Sequence, residues 1–370
     1  MIKKYKIVAD ENMPSIGTLF FGIADIIYAN GRDITKEMLS NADALLCRSI
    51  TQVNASLLNN SSIQFVGTAT IGIDHLDTHW LNAKKISWSN AAGCNAPAVG
   101  QYVLSAISYW SLKNNRSIQD LNVGIIGAGN VGTILAQYLD FYGIDYKLYD
   151  PPLQQQGDSR DFADFQSILK CDVVSLHVPI TAEGEHATRY MFAIKTLEQL
   201  NSDQLLINAS RGAVINNQDL DDYLTRDNAA QCVLDVFENE PNINPSLVQN
   251  TLLATPHIAG HTLEGKLRGS WMIYQAFCRH FAIETDKQES ELYPASNELD
   301  LSGLSLEKRL LAIYDISLDS KSLKNLKKEE IKIEFDQLRT NATQLPNGVI
   351  RRDYSGWCIK DDCSNFLLPK

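Results

Sequence analysis

The chain has 370 residues, with 33 Lys+Arg against 44 Asp+Glu for a net charge of −11, and is 44% hydrophobic and 21% charged. That length predicts about two to three domains with cores of their own, and the composition excludes both a small peptide module and a chain that stays disordered. The acidic balance supplies no global field for nucleic acid or an anionic membrane, and no apolar run reaches the ~20 residues that span a bilayer.

The start, MIKKYKIVADEN, is too short in apolar residues for a secretory signal, so a soluble cytoplasmic protein is expected. Cysteines at 47, 94, 171, 232, 278, 358 and 363 are scattered, with no C-x-x-C. They read as reduced thiols, and no metal site is expected, because His75/His79 and His257/His261 lack an H-E-x-x-H pattern.

In chain order, Tyr5–Ala9, Ala44–Cys47, Gln64–Gly67 and Ile86–Ser89 read as strands among polar helical stretches, an α/β unit over residues 1–95. Asn95 can cap and Pro97 can open a helix through PAVGQYVLSAISYWSLK, whose apolar face suits burial between two lobes. From Asn122 the runs VGII, YKLYD, CDVVSLHVP, QLLINAS, AQCVLDVF and TLLATPH are those of parallel strands covered on both faces. Residues 96–279 thus form a second domain with connecting helices. Residues 280–293 return to the first lobe, and 294–370 form a small third unit. The charge run Lys321–Lys332 reads as a solvated face.

Gly127, Gly129 and Gly132 make G-x-G-x-x-G between a strand and a helix. The first glycine permits the tight turn, the second a close pyrophosphate, the third close helix–strand packing. Asp150 ends the next strand, eighteen residues past Gly132, where a carboxylate accepts from ribose hydroxyls and repels a 2′-phosphate. NAD is therefore expected rather than NADP. The alternative role for Asp150 is a cap on the turn before Pro151–Pro152.

Arg211, Glu240 and His257 follow later apolar runs, and ligands of open α/β sheets bind outside the carboxyl ends of strands. Histidine suits removal of an alcohol proton near neutral pH, a carboxylate on its other nitrogen orients it, and arginine offers a planar fork to a substrate carboxylate. Arg48, beside Ser49, is the first candidate for a phosphate group.

The order GAGNVG, NASRG, ENEP and PHIAG resembles the D-2-hydroxyacid dehydrogenase family over roughly residues 5 to 290. The resemblance implies a Rossmann-type NAD domain, a flavodoxin-like substrate domain, and catalysis by Arg211, Glu240 and His257. It implies dinucleotide contacts from Gly127, Gly129, Asn130, Val131, Gly132, Asp150, Val178, Ala209, Ser210, Arg211, Asp235 and Gly260. Ser49 and Thr70 fall at its substrate positions, and His261 stands where the family has a substrate-contacting tyrosine. VADENMP, RSITQVN, FVGTATIGIDHLD, AAGCNA and PHIAGHTLEGKLRG are similar to one branch of the family, acting on a small phosphorylated 2-hydroxy acid. That branch has a small α+β C-terminal dimerisation domain, which implies a homodimer. Arg351 or Arg352 is then expected to reach a partner subunit's site. The competing expectations are a 3-phosphoglycerate or hydroxypyruvate dehydrogenase and an NAD-sensing binding protein without turnover.

Overall fold

The computed structural model describes residues 4–343 and 350–359, so Cys363 lies outside the described residues. They divide into two compact units, 1–95 with 263–295, and 96–262 with the described residues from 296 onward.

In the first unit, β1 (Tyr5–Asp10), β2 (Ala24–Ala29), β3 (Ala44–Cys47), β4 (Phe65–Thr68) and β5 (Ser87–Asn90) form one parallel sheet in the order β2-β1-β3-β4-β5. That is the flavodoxin-like order. Ile7, Ala9, Leu46 and Phe65 point to one face and Val8, Leu45 and Val66 to the other, which is why the strands read as unbroken apolar runs. Strand β2 escapes the sequence pattern because it is an edge strand. Its Ile27 and Tyr28 are exposed, so no buried face imposes alternation.

Helix Leu263–His280 belongs to this unit rather than to the dinucleotide domain, so the returning segment is 263–295, not 280–293. The reason is packing. Trp271, Ile273, Tyr274 and Phe277 cover the Ile7/Phe65 face, and a methyl group on Gly67 would lie 2.3 Å from the Ile273 side chain.

The second unit is built on β6 (Asn122–Ile126), β7 (Asp145–Tyr149), β8 (Val173–Leu176), β9 (Leu205–Asn208), β10 (Gln231–Leu234) and β11 (Leu253–Ala254). All are parallel, in the order β11-β10-β9-β8-β6-β7. Strand order reverses at β6, whose neighbours are β7 and β8, so the loops leaving β6 and β8 diverge at their carboxyl ends.

Helix Ala96–Lys113 is buried within this unit. Tyr102, Val103, Ile107 and Trp110 pack with Tyr138 and Leu139 of helix Asn130–Tyr142 and with Leu310 and Ile313 of helix Leu306–Ile313. The C-terminal segment is accordingly no free-standing third unit. Leu323, Ile331 and Phe335 share a core with β10, and Ser320 of helix Ile316–Lys324 accepts the Ala254 N–H at 3.0 Å, covering the β11 edge. Strands β12 (Asn297–Leu299) and β13 (Trp357–Ile359) pair in parallel.

The Lys321–Lys332 run is largely solvated, as its composition suggests, except that Lys324 donates to the carbonyls of Gln249 and Thr251. Cys47, Cys94, Cys171, Cys232 and Cys278 are free and buried, and burial pushes the thiols of Cys47 and Cys94 up to about 12. They act as core residues, not nucleophiles. Among the described residues no helix is long and apolar enough to cross a membrane.

Candidate active site

The glycine turn after β6 is built as its spacing predicts. Gly127 has φ +93°, and a methyl group there would lie 2.6 Å from the His177 carbonyl oxygen. A methyl on Gly132 would lie 2.0 Å from the Gly127 carbonyl, so the helix starts hard against the strand. At Gly129 the same methyl meets no atom within 4 Å. Gly129 is also the N-cap of helix Asn130–Tyr142, and no side chain caps that helix. An open approach to uncapped N–H groups at a helix N-terminus fits a pyrophosphate. Val178 abuts the Gly127 turn, and Asn130 and Val131 open the helix.

Asp150, at the end of β7, does more than cap. Oδ1 accepts from Leu153 N–H at 3.1 Å, as the turn-cap alternative requires, while Oδ2 accepts from Ala128 N–H at 2.9 Å within the glycine turn. The carboxylate is thereby fixed beside that turn.

The catalytic candidates stand after β9, β10 and β11, which are neighbours in the sheet. Buried Asn208 ends β9 and organises the NASRG loop: its Oδ1 accepts the Ser210 N–H and hydroxyl, and its Nδ2 donates to the Arg211 carbonyl at 3.0 Å. The Arg211 guanidinium is half-buried and donates to the Ser210 carbonyl at 2.9 Å. Gly212 then touches the next loop. A methyl on it would lie 2.0 Å from the carbonyl carbon and oxygen of Phe237 and 2.6 Å from the Glu238 nitrogen.

Glu240 accepts the Phe237 N–H through Oε1 at 2.8 Å and meets His257 Nδ1 through Oε2 at 2.7 Å. Burial would raise the Glu240 carboxyl, but the hydrogen bond and charge of His257, with the Phe237 N–H, hold it below the usual carboxylate range. The stability that Glu240 contributes is present above its unfolded value and is lost as pH falls through the lowered folded one. The pair therefore persists at neutral pH and opens in acid.

His257 has φ +56°, a left-handed conformation that costs a non-glycine residue on the order of 1–3 kcal/mol and persists only where the surroundings fix it. Its N–H donates to the Asp235 carbonyl at 2.7 Å. The Asp235 carboxylate, 1% exposed and pushed up by burial, accepts from the Thr255 hydroxyl and from the N–H groups of Ile258 and Ala259. Asp235 thus holds the loop that carries His257, and half-buried Gly260 follows that loop. Sequence reasoning assigned nothing to Asn208, Gly212 or Thr255. It also passed over Glu238, the first glutamate of ENEP, which accepts from Tyr190 and caps Asn217 N–H. The signal was present: Asn208 and Gly212 are the first and last residues of the NASRG stretch.

Replacing Gly212 with Ala tests how these loops are joined. Overpacking of about 1–3 kcal/mol must push Arg211 and Glu240 apart. The expected result is a lower Tm together with a kcat loss of roughly tenfold or more, since small misplacements of reacting groups are costly. A variant with unchanged kinetics would show that this contact does not set the site.

In the first unit, Arg48 and Ser49 follow β3 and Thr70 follows β4, all half-buried at the carboxyl end of the sheet. The Thr70 hydroxyl donates to the Gly72 carbonyl at 2.9 Å and lies 2.8 Å from the Thr68 hydroxyl, which also meets buried His75 at 2.8 Å. It organises its own turn. His261, in the second unit, is half-buried, and its N–H donates to the Ile258 carbonyl. Arg351 and Arg352 do not extend toward a partner. Both are buried within their own unit, Arg351 against Asp319 at 2.6 Å.

Residues 105–259 match the family described as D-isomer specific 2-hydroxyacid dehydrogenase, NAD binding domain. Among solved structures, the chain resembles NAD+-bound 3-phosphoglycerate dehydrogenase of Entamoeba histolytica, with TM-score 0.64 and 20% identity over 77% of this chain and 98% of that one. D-lactate dehydrogenase of Aquifex aeolicus, complexed with NAD and lactic acid, gives TM-score 0.57 and 20% identity over 75% and 96%. These share the fold. Closer similarity comes from two proteins named erythronate-4-phosphate dehydrogenase: that of Tolumonas auensis, 41% identical over 99% of this chain and 98% of its own, and that of Shewanella oneidensis, 44% identical over 96% and 94%. With identity of this degree over nearly the whole length, and with the glycine turn and the Glu240–His257 pair in place, the chain belongs to the erythronate-4-phosphate dehydrogenase family of D-isomer specific 2-hydroxyacid dehydrogenases.

Proposed function

We propose that this chain oxidises the C2 hydroxyl of 4-phospho-D-erythronate to (R)-3-hydroxy-2-oxo-4-phosphooxybutanoate, a step of pyridoxal 5′-phosphate (vitamin B6) biosynthesis. Full-length similarity to the named dehydrogenases carries this reading, since the structures named for 3-phosphoglycerate and lactate share the fold at only 20% identity. NAD, when bound, supplies the hydride acceptor. The residues suited to hold it are Gly127, Gly129, Asn130, Val131 and Gly132 for the pyrophosphate and Asp150 for the ribose, with Val178, Ala209, Ser210, Asp235 and Gly260 lining the rest.

His257 takes the hydroxyl proton at Nε2, because Nδ1 is committed to Glu240. Glu240 stabilises the imidazolium that results. Arg211 binds the substrate carboxylate and places positive charge beside the oxygen that becomes the carbonyl. Ser49 and Thr70 contact the substrate, His261 takes the position of the family's tyrosine, and Arg48 is the candidate for the phosphate. The protein is a cytoplasmic homodimer in this reading.

Turnover of NAD with 4-phosphoerythronate, 3-phosphoglycerate and glycerate, compared side by side, tests the substrate. A kcat/KM for 4-phosphoerythronate at least about a hundredfold above the others is expected, a discrimination within reach of polar pocket contacts. Preference for 3-phosphoglycerate overturns the reading, and no turnover with any of them supports a dinucleotide sensor.

A further inference from the structure

Arg351 belongs to the paired arginines of the C-terminal segment, and the reaction as derived makes no use of it. Its guanidinium has three partners in its own unit. Nη2 donates to Asp319 Oδ2 at 2.6 Å, Nη1 donates to the Ile258 carbonyl at 3.4 Å, and the group lies 5.0 Å from the centroid of the Tyr314 ring. Tyr314 donates its hydroxyl to the same Asp319 oxygen at 2.8 Å, and its carbonyl accepts from Ser105 of helix Ala96–Lys113 at 2.7 Å. Gln101 of that helix donates to the Arg352 carbonyl at 3.1 Å.

Ile258 is the residue after His257. Its N–H is taken by Asp235 at 2.8 Å, and its carbonyl receives both Arg351 and the His261 N–H. A third hold comes from Tyr102, whose hydroxyl lies 2.7 Å from Thr255 Oγ1, which in turn donates to Asp235. A histidine at positive φ needs such over-determination. Asp235 supplies it at the Ile258 N–H, and the C-terminal segment supplies it at the Ile258 carbonyl.

We propose that Arg351 is a positioning residue for the dehydrogenation: paired with Asp319, it fixes the Ile258 carbonyl and so aims His257. The proposal rests on the dehydrogenase reading above. It makes the C-terminal segment part of the catalytic unit of its own chain, whatever surface that segment offers to a second copy. A core ion pair serving stability alone would alter Tm but leave the turnover of folded protein unchanged.

Two full-length variants separate these roles. Arg351→Lys keeps a cation for Asp319 but lacks the second arm that reaches Ile258. The double variant Arg351→Met/Asp319→Leu removes both charges, an exchange for apolar residues that buried pairs commonly tolerate. Each is assayed for Tm, for kcat and both KM values, and for hydrogen exchange across residues 255–262. The expected result is folded protein with KM within about twofold of wild type, kcat lower by about tenfold or more, and faster exchange at the Ile258 and Ala259 amides.

Wild-type kcat in folded variants overturns the proposal, as does a fall in kcat without faster exchange. Failure of both variants to fold also overturns it, since Arg351 would then be a requirement of the core. Should wild type itself turn over none of the acids, the dehydrogenase reading falls. The exchange comparison still decides whether Arg351 holds the loop.

Discussion

Replacing His257 with Gln is expected to lower kcat by about 10²–10⁴ while leaving NAD affinity near wild type, the range that a positioned general base contributes. Glutamine keeps a polar side chain of similar reach but cannot carry away a proton. Because His257 Nδ1 lies 2.7 Å from Glu240 Oε2, the ring presents Nε2 as its only free nitrogen, so no second orientation rescues the step. Glu240→Gln should act through the same bond. It leaves a neutral partner where the structure has a carboxylate held below its usual range. Loss of that charge removes the partner that stabilises the proton taken up at His257, so maximal turnover should fall. Wild-type turnover in Glu240→Gln would show that Glu240 does not stabilise the charge produced at His257. Full activity in His257→Gln would remove His257 from the chemistry.

The second large effect is expected at Arg211. Arg211→Lys conserves charge but loses the planar fork, so binding of the substrate carboxylate and stabilisation of the developing carbonyl oxygen should both suffer. A fall in kcat/KM of about 10²–10³ is expected, comparable to loss of one preorganised donor in a water-poor site. The backbone around Arg211 is fixed by Asn208 and Gly212 and should not move, so Tm should stay close to wild type. Steady-state kinetics and a thermal melt on the same preparation check this. If Lys restores most of the activity that Met abolishes, Arg211 serves as a point charge and the bidentate account is wrong.

How much of this was legible in the sequence depended on whether a residue's role is local. The glycine turn, Asp150 and the strands of both sheets other than the edge strand β2 follow from spacing and hydrophobic runs, because each is decided by a short stretch of chain. Asp150 shows the limit even there: its cap on Leu153 was foreseen, but its bond to Ala128 depends on β6 and β7 lying side by side. Arg211, Glu240 and His257 were legible as strand-end polar residues. Nothing in their spacing revealed that Gly212 presses one loop onto the other. Helix Leu263–His280 follows directly on the dinucleotide domain in the chain and packs on the other unit's sheet, a tertiary choice no periodicity records. Arg351 was misassigned for a related reason. An arginine is ordinarily exposed, and only Asp319, Tyr314 and the Ile258 carbonyl, distant in sequence, explain its burial.

In the proposed reaction a hydride leaves C2 of the 2-hydroxy acid while His257 takes the hydroxyl proton. It is tested most directly by incubating the enzyme and NAD with 4-phospho-D-erythronate deuterated at C2 and analysing the reduced cofactor by mass spectrometry. NADH carrying the deuterium is expected, with little formed by His257→Gln. NADH without the label, with the deuterium released to solvent instead, would contradict it.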